Sequence, residues 1–204
     1  MVRLDDHLRA TARRYGDKTA VIAGDDRLTY SELDLFSDHL AAGLMLHSVL
    51  PGDRVIMLCE NTAEAVVAFF AIWKAGAVPC PLHSSIKQDK LRGIIDSTTP
   101  AAIFVQGRFA PVADTALTGA ALRPALITFG PSSGAFSEVA TRYEDMILLE
   151  AAPPESLEPG MDALALLIHT SGSTGAPKGV MHSHSSLHAA CSAIVDYLGN
   201  TADD

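Results

Sequence analysis

Thr170-Ser171-Gly172-Ser173-Thr174-Gly175-Ala176-Pro177-Lys178-Gly179 is the stretch around which the chain is read. An apolar run, Ala163 to Ile168, leads into it, and the apolar pair Val180-Met181 leads out. Three glycines, four hydroxyl side chains and one lysine fall within these ten residues. Glycines let backbone N–H groups converge on an oxyanion. Hydroxyls add donors that rotate to fit, and lysine adds a point charge. The stretch reads as a cradle for the polyphosphate of a nucleotide, held between two strands.

A Walker loop, G-x-x-x-x-G-K-[ST], is the first alternative. Counted from Gly172, the residue before Lys178 should be glycine and is Pro177, and the residue after it should be Ser or Thr and is Gly179. The helix-opening glycine and the magnesium-binding hydroxyl of that motif are both missing. Proline also removes a backbone donor there.

Upstream of the loop, strand-like and helix-like segments alternate. Leu4 to Tyr15 carries Leu4, Leu8 and Ala12 at helical spacing. Thr19 to Ala23 and Leu28 to Tyr30 read as extended, with a turn between them. Ser31 reads as the cap of a helix with Leu33, Phe36, Leu40 and Leu44 on one face. Arg54 to Leu58 reads as a buried strand. Asn61 reads as the cap of a helix that runs to about Ala75 and ends at Gly76. Ala77 to Leu82 is a strand interrupted by Pro79 and Pro81, hence an edge or a strand end. Lys87 to Ser97 and Val112 to Ala121 read as helices, and Ala101 to Val105 and Ala125 to Phe129 as strands. The last helix spans Ser185 to Leu198, with Leu187, Ala190, Cys191, Ile194 and Leu198 on one face. The expected fold is α/β, a largely parallel sheet with flanking helices. Residues 1–150 form the expected α/β subdomain, 151–160 a linker-like break around Ala151 to Glu155, and 161–204 a strand, phosphate loop, strand and helix.

With 48% hydrophobic and 19% charged residues, the 204-residue chain is globular rather than disordered. Its formal net charge of −9 argues against a nucleic-acid partner, which needs a basic face. Cys59, Cys80 and Cys191 are widely spaced among apolar neighbours and read as buried free thiols of a reducing compartment. No signal peptide is seen at the N-terminus, and the most apolar stretch, Ala65 to Trp73, is too short to span a bilayer. The expected location is the cytoplasm.

Thr170 to Val180 resembles, almost residue for residue, the phosphate-binding motif of the adenylate-forming (AMP-binding) superfamily. That superfamily holds acyl-CoA synthetases, peptide-synthetase adenylation domains and luciferases. Two further stretches match in order. Leu28-Thr29-Tyr30-Ser31-Glu32-Leu33 looks like the first core motif of the superfamily, and Trp73 to Leu82 looks like the second. Ser183-His184 resembles its Thr-His or Ser-His pair. His83-Ser84 departs from a common Asn-Pro or Asp-Pro pair, and Ser186 from a common Asn.

The resemblance implies an acid–thiol ligase of the acyl-CoA synthetase or fatty-acid–CoA ligase type. A carboxylate attacks the α-phosphate of ATP, with Mg2+, and releases pyrophosphate. Coenzyme A or a carrier-protein pantetheine then displaces AMP. Phosphate binding falls to Thr170, Ser171, Ser173, Thr174 and Lys178, with Gly172, Gly175 and Gly179 allowing close approach. No catalytic residue and no metal ligand is assigned. The superfamily's acyl-site motif, ribose-binding aspartate, hinge and C-terminal lysine lie further along the chain than Asp204. The chain is therefore expected to be the N-terminal portion of a ligase, inactive alone, completed in cis or in trans. The alternatives are a non-catalytic nucleotide-binding or interaction module and one half of a split enzyme. Fatty, aromatic and amino acids all stay open as substrates, with an acyl-CoA ligase favoured over a peptide-synthetase domain.

Four histidines near the loop, His169, His182, His184 and His188, are read as structural rather than metal-ligating, because no Asp, Glu or Cys joins them closely and His182 and His184 would point to opposite sides around the helix start. Trp73, Phe69 and Phe70 are read as core, and Lys74 as a solvated helix end.

Overall fold

The computed structural model describes residues 3–132, 139–149, 160–170 and 178–201. The elements in order are α1 (Leu4–Tyr15), β1 (Thr19–Ala23), β2 (Asp26–Thr29), α2 (Tyr30–Leu46), β3 (Arg54–Leu58), α3 (Ala63–Lys74), β4 (Val78–Leu82), α4 (Gln88–Thr98), β5 (Ala102–Gln106), α5 (Ala110–Leu117), β6 (Ala125–Phe129), β7 (Thr141–Arg142), α6 (Tyr143–Ile147), β8 (Leu164–Thr170), β9 (Lys178–Ser183) and α7 (His184–Leu198).

Arg54-Val55-Ile56-Met57-Leu58 has no polar face after its first residue, which suits a strand covered on both sides. It is an interior strand of a five-stranded sheet ordered β4-β3-β5-β6-β7, in which every pairing is parallel. Alternation along β3 divides the core in two. Val55 and Met57 pack with residues of α2 and α3, including Leu40, Leu44, Val67 and Ile72. Ile56 and Leu58 pack with residues of α4 and α5, including Leu91, Ile95, Ala113 and Ala116. Helices thus cover both faces, as a doubly wound sheet requires. Pro79 and Pro81 sit on β4 at the sheet edge, where a missing N–H breaks no ladder bond.

The helix caps fall one or two residues from the positions expected. For α2 the cap is Thr29, not Ser31. Its Oγ1 accepts the Glu32 N–H at 3.2 Å while the Thr29 N–H donates to Glu32 Oε2 at 2.8 Å, a full capping box. For α3 the cap is Thr62, not Asn61, with its hydroxyl accepting the Ala65 N–H. Strand β7 and helix α6 have no counterpart in the sequence reading. The short Thr141–Ile147 segment owes its place to Tyr143 and Met146, which are buried beside Phe129 and Gly43. The expected break at Ala151 to Glu155 lies outside the described residues.

Lys74 departs furthest from expectation. Its side chain is fully buried, not solvated. Nζ lies 2.6 Å from Asp34 Oδ1 and 2.8 Å from Asp38 Oδ1, and donates to the Asp34 carbonyl oxygen at 2.8 Å. Arg9 of α1 also reaches Asp38, at 3.1 Å. Two cations, Lys74 of α3 and Arg9 of α1, and two carboxylates a turn apart on α2 therefore join α1, α2 and α3. Cys191 is a second correction. Cys80 is buried, Cys59 partly so, and Cys191 lies exposed on α7.

Candidate functional site: a hairpin carrying the Ser/Thr/Gly stretch

Strands β8 and β9 form an antiparallel hairpin separate from the main sheet. Its last pair is Thr170 opposite Lys178, preceded by His169 opposite Gly179. The ends of the loop are thus brought face to face, and Thr170 Oγ1 donates to the Lys178 carbonyl oxygen at 3.5 Å. Of the seven expected phosphate-binding residues, the structure brings Thr170 and Lys178 together at the mouth of the hairpin. Ser171, Gly172, Ser173, Thr174 and Gly175 lie outside the described residues. The expectation of a loop held between two strands, rather than between a strand and a helix, is met.

Three attachments fix the hairpin. The first is apolar: β8 lies against β4, and Leu167 packs on the cluster of Ile56, Leu58, Cys80 and Leu82. The second is polar. The β8–β9 register shifts between Leu164 and Leu166, and the carbonyl of Ala165 at that irregularity accepts the Trp73 indole N–H at 2.7 Å. Trp73, read from sequence as core alone, is thus also a tether between α3 and the loop-bearing hairpin. Its 8% exposure supports both roles. The third attachment is at the far end of β9. Ser183 caps α7, its Oγ accepting the Ser186 N–H at 3.2 Å. The N–H groups of His184 and Ser185 donate back to the carbonyls of Ala163 and Met161, at 3.2 and 2.8 Å. The start of α7 is thereby stapled to the entry of β8.

Gly179 lies against the side chains of Leu167 and His169. A Cβ there would stand 2.9 Å from Leu167 Cδ1 and 3.8 Å from His169 Nε2.

The four histidines divide. His184 is buried, its Nδ1 has no hydrogen-bond partner, and burial presses its pKa below the ordinary value, with Arg3 adding to the effect and Asp5 and Asp6 opposing it. The rings of His188 and His7 meet at 5.5 Å, where α7 touches α1. His169 is half-buried, its Nδ1 is buried without a partner, and burial lowers its pKa too. Among the described residues no group of three His, Cys, Asp or Glu side chains could hold a metal ion. The apolar face expected on α7 is open among the described residues, with Ile194 and Leu198 more than half exposed. Burial pushes the Cys59 and Cys80 thiols up to about 12, so neither offers a thiolate at neutral pH.

Two open grooves lie at the carboxyl ends of the sheet strands, where doubly wound folds commonly bind ligands. One, of about 370 Å³, is lined by Asn61, Glu64, Gln106 and Phe129 among others. The other, of about 430 Å³, is lined by Cys59, Glu60, Leu82 and His83 among others. No residue of the hairpin lines either among the described residues.

The family model described as "AMP-binding enzyme" matches residues 8–204. The chain belongs to the AMP-binding, adenylate-forming family. It is 39% identical over 183 residues to phosphinothricin tripeptide synthetase PhsC of Streptomyces viridochromogenes, covering 87% of this chain and 15% of that protein. It is 27% identical over 191 residues to the 3-hydroxybenzoate–CoA/4-hydroxybenzoate–CoA ligase of Thauera aromatica, covering 94% of this chain and 36% of that one. A solved structure from Rhodopseudomonas palustris CGA009, bearing the name long-chain-fatty-acid CoA ligase, superposes with a TM-score of 0.87 at 24% identity. It covers 98% of this chain and 49% of its own, and shows the shared fold. The chain spans well under half the length of those two relatives. The family members it resembles include a peptide synthetase as well as a CoA ligase, so similarity does not favour the CoA-ligase branch. Among the described residues, no helix is long and apolar enough to cross a membrane.

Proposed function

We propose that this chain is the N-terminal, phosphate-loop-bearing part of an ATP-dependent, AMP-forming acid–thiol ligase. The observation that carries the reading is the Thr170–Lys178 pair, which closes a Ser/Thr/Gly loop at the end of a hairpin anchored to an α/β sheet. The work of such a site is positioning and charge neutralisation. As a carboxylate attacks the α-phosphate, negative charge grows on the departing pyrophosphate, and donors already in place stabilise it. Lys178 supplies the cation, and the Thr170, Ser171, Ser173 and Thr174 hydroxyls supply donors. Gly172, Gly175 and Gly179 admit the backbone. Mg2+ would accompany the ATP, and the described residues offer no ligand set for it.

Membership of the family and the span of its relatives support a longer parent whose remaining part supplies the acyl pocket and the thiol acceptor site. The acid is a fatty, aromatic or amino acid, and the acceptor is coenzyme A or a carrier-protein pantetheine. The cytoplasm is the proposed location. Carboxylate-dependent exchange of pyrophosphate into ATP tests the reading. The 204-residue chain is expected to show no exchange. The same chain extended through the remaining length of the family fold is expected to show exchange that falls at least tenfold on Lys178→Ala. Exchange unchanged by Lys178→Ala would remove the loop from the reaction.

A further inference from the structure

A polar seam runs where the starts of α1 and α7 come together. His184, the first residue of α7, is 4% exposed, and its Nδ1 is buried without a hydrogen-bond partner. A buried ring nitrogen left unpaired needs a reason in a folded protein. Arg3 and Asp5, at the start of α1, are buried too. Arg3 donates to Asp5 through Nε, at 3.1 Å, and through Nη2, and its Nε lies 3.8 Å from Asp6 Oδ2. One turn further along each helix, the rings of His7 and His188 meet with centroids 5.5 Å apart. A charge on His184 is disfavoured by burial, by Arg3 and by the positive end of the α7 dipole. Asp5 and Asp6 oppose these effects, but Arg3 already engages both. The other titratable groups on elements packed against α7 are His169 on β8, Lys178 and His182 on β9, and Asp162 just before β8, which accepts from Ser185 Oγ. Further along α1, Arg9 is held by Asp38 of α2, which also receives Lys74 of α3. None of these brings an acceptor to His184 Nδ1.

We propose that this seam is an acid-operated latch: protonation of His184 and of the His7–His188 pair releases the first turns of α1 from the start of α7 while the parallel sheet stays folded. Each ring takes a proton from the buffer, and no other bond changes. Protonated His184 becomes a buried cation with an unpaired donor, and it gains solvation only when the seam opens. Protonated His7 and His188 stand as two like charges in contact, and they too are relieved by separation. The sign follows from linkage. The open seam binds more protons than the closed one. Closure is therefore fully favoured above the ordinary histidine value and weakens as pH falls from there through the lowered value of the closed seam. The latch borders the third attachment of the hairpin, where the His184 and Ser185 N–H groups bond back to Ala163 and Met161. It does not depend on what the Ser/Thr/Gly stretch binds.

The test is amide hydrogen exchange of the 204-residue chain at about pH 7.5 and about pH 5.5, corrected for the intrinsic rate and read by mass spectrometry. The wild type is expected to lose at least about threefold in protection over residues 4–9 and 184–190 at the lower pH, the effect of two like charges 5.5 Å apart at the dielectric of water alone. Protection of β3 should hold. A His7→Gln/His184→Leu variant, its fold checked by circular dichroism, should show no such loss. Protection kept by the wild type at the lower pH overturns the latch, and so does an equal loss in the variant. Loss that extends to β3 is general acid unfolding and overturns it as well. Should the variant fail to fold, the His184 ring and the amides of residues 4–9 are followed together by NMR in one pH titration of the wild type. A shared midpoint supports the latch, and amides that stay unmoved as His184 takes its proton overturn it.

Discussion

Replacing Lys74 by alanine tests the buried ion cluster that joins the first three helices. The change removes three methylenes of a stem that is fully out of solvent. At about 0.8 kcal/mol each they account for roughly 2 kcal/mol. It also leaves Asp34 and Asp38 facing each other without their shared cation. Breaking a fully buried pair costs about 3–5 kcal/mol. Here the carboxylates are 21% and 14% exposed, and Asp38 keeps Arg9, so the lower figure is discounted to about 2 kcal/mol. The expected total is about 4 kcal/mol, a large part of the stability of an ordinary domain. Lys74→Met keeps the stem and should cost about 2 kcal/mol. Adding Asp34→Asn to Lys74→Met should restore about 1 kcal/mol by removing an unpaired charge. Urea unfolding, followed by circular dichroism and by fluorescence of the single tryptophan, gives these differences. A cost below about 1 kcal/mol for Lys74→Ala, or none for Lys74→Met, would refute the reasoning.

Thr29→Ala should destabilise the chain by about 1 kcal/mol through loss of the α2 capping box. Hydrogen bonds from the Thr29 backbone and hydroxyl hold the Glu32 carboxyl below its usual value of 4.5. A lowered carboxylate pKa contributes stability above the unfolded value and loses it as pH falls through the folded one. The cost of Thr29→Ala measured by urea unfolding should therefore shrink between about pH 5 and pH 3. Among the cysteines, exposed Cys191 should react first with iodoacetamide at pH 8, ahead of Cys59 and Cys80, whose thiols burial has pushed up to about 12. Peptide mass spectrometry reads the order, and early labelling of Cys80 would contradict it.

The parallel sheet was legible because its strands are short apolar runs separated by helices with one apolar face. The β6 expectation at Ala125–Phe129 matches residue for residue. Family membership was legible from the residue types at fixed spacing in Thr170 to Val180, and so were the two strands that flank the loop. What escaped was information that only the tertiary arrangement carries. Thr29 and Thr62 won the caps over Ser31 and Asn61 because the helices begin where the preceding turns release them, and all four residues can cap. Lys74 at the end of an apolar helix looked like a solvated helix end. Its partners, Asp34 and Asp38, lie forty and thirty-six positions earlier. Two acids one turn apart on α2, Asp34 and Asp38, were the available signal. Trp73 was read as core alone, whereas its indole N–H is the part that reaches the hairpin. Thr141–Ile147 was missed because strand β7 is two residues long and has no periodicity to read.

The central claim is that the loop between Thr170 and Lys178 holds the polyphosphate of ATP. The most direct measurement is equilibrium binding of ATP to this chain and to its Lys178→Ala variant, with the fold of each checked by circular dichroism. The account predicts saturable binding that weakens at least tenfold in the variant, the scale of one lost charge-assisted contact of about 1.4 kcal/mol or more. ATP binding of equal strength to the wild type and to Lys178→Ala would contradict it.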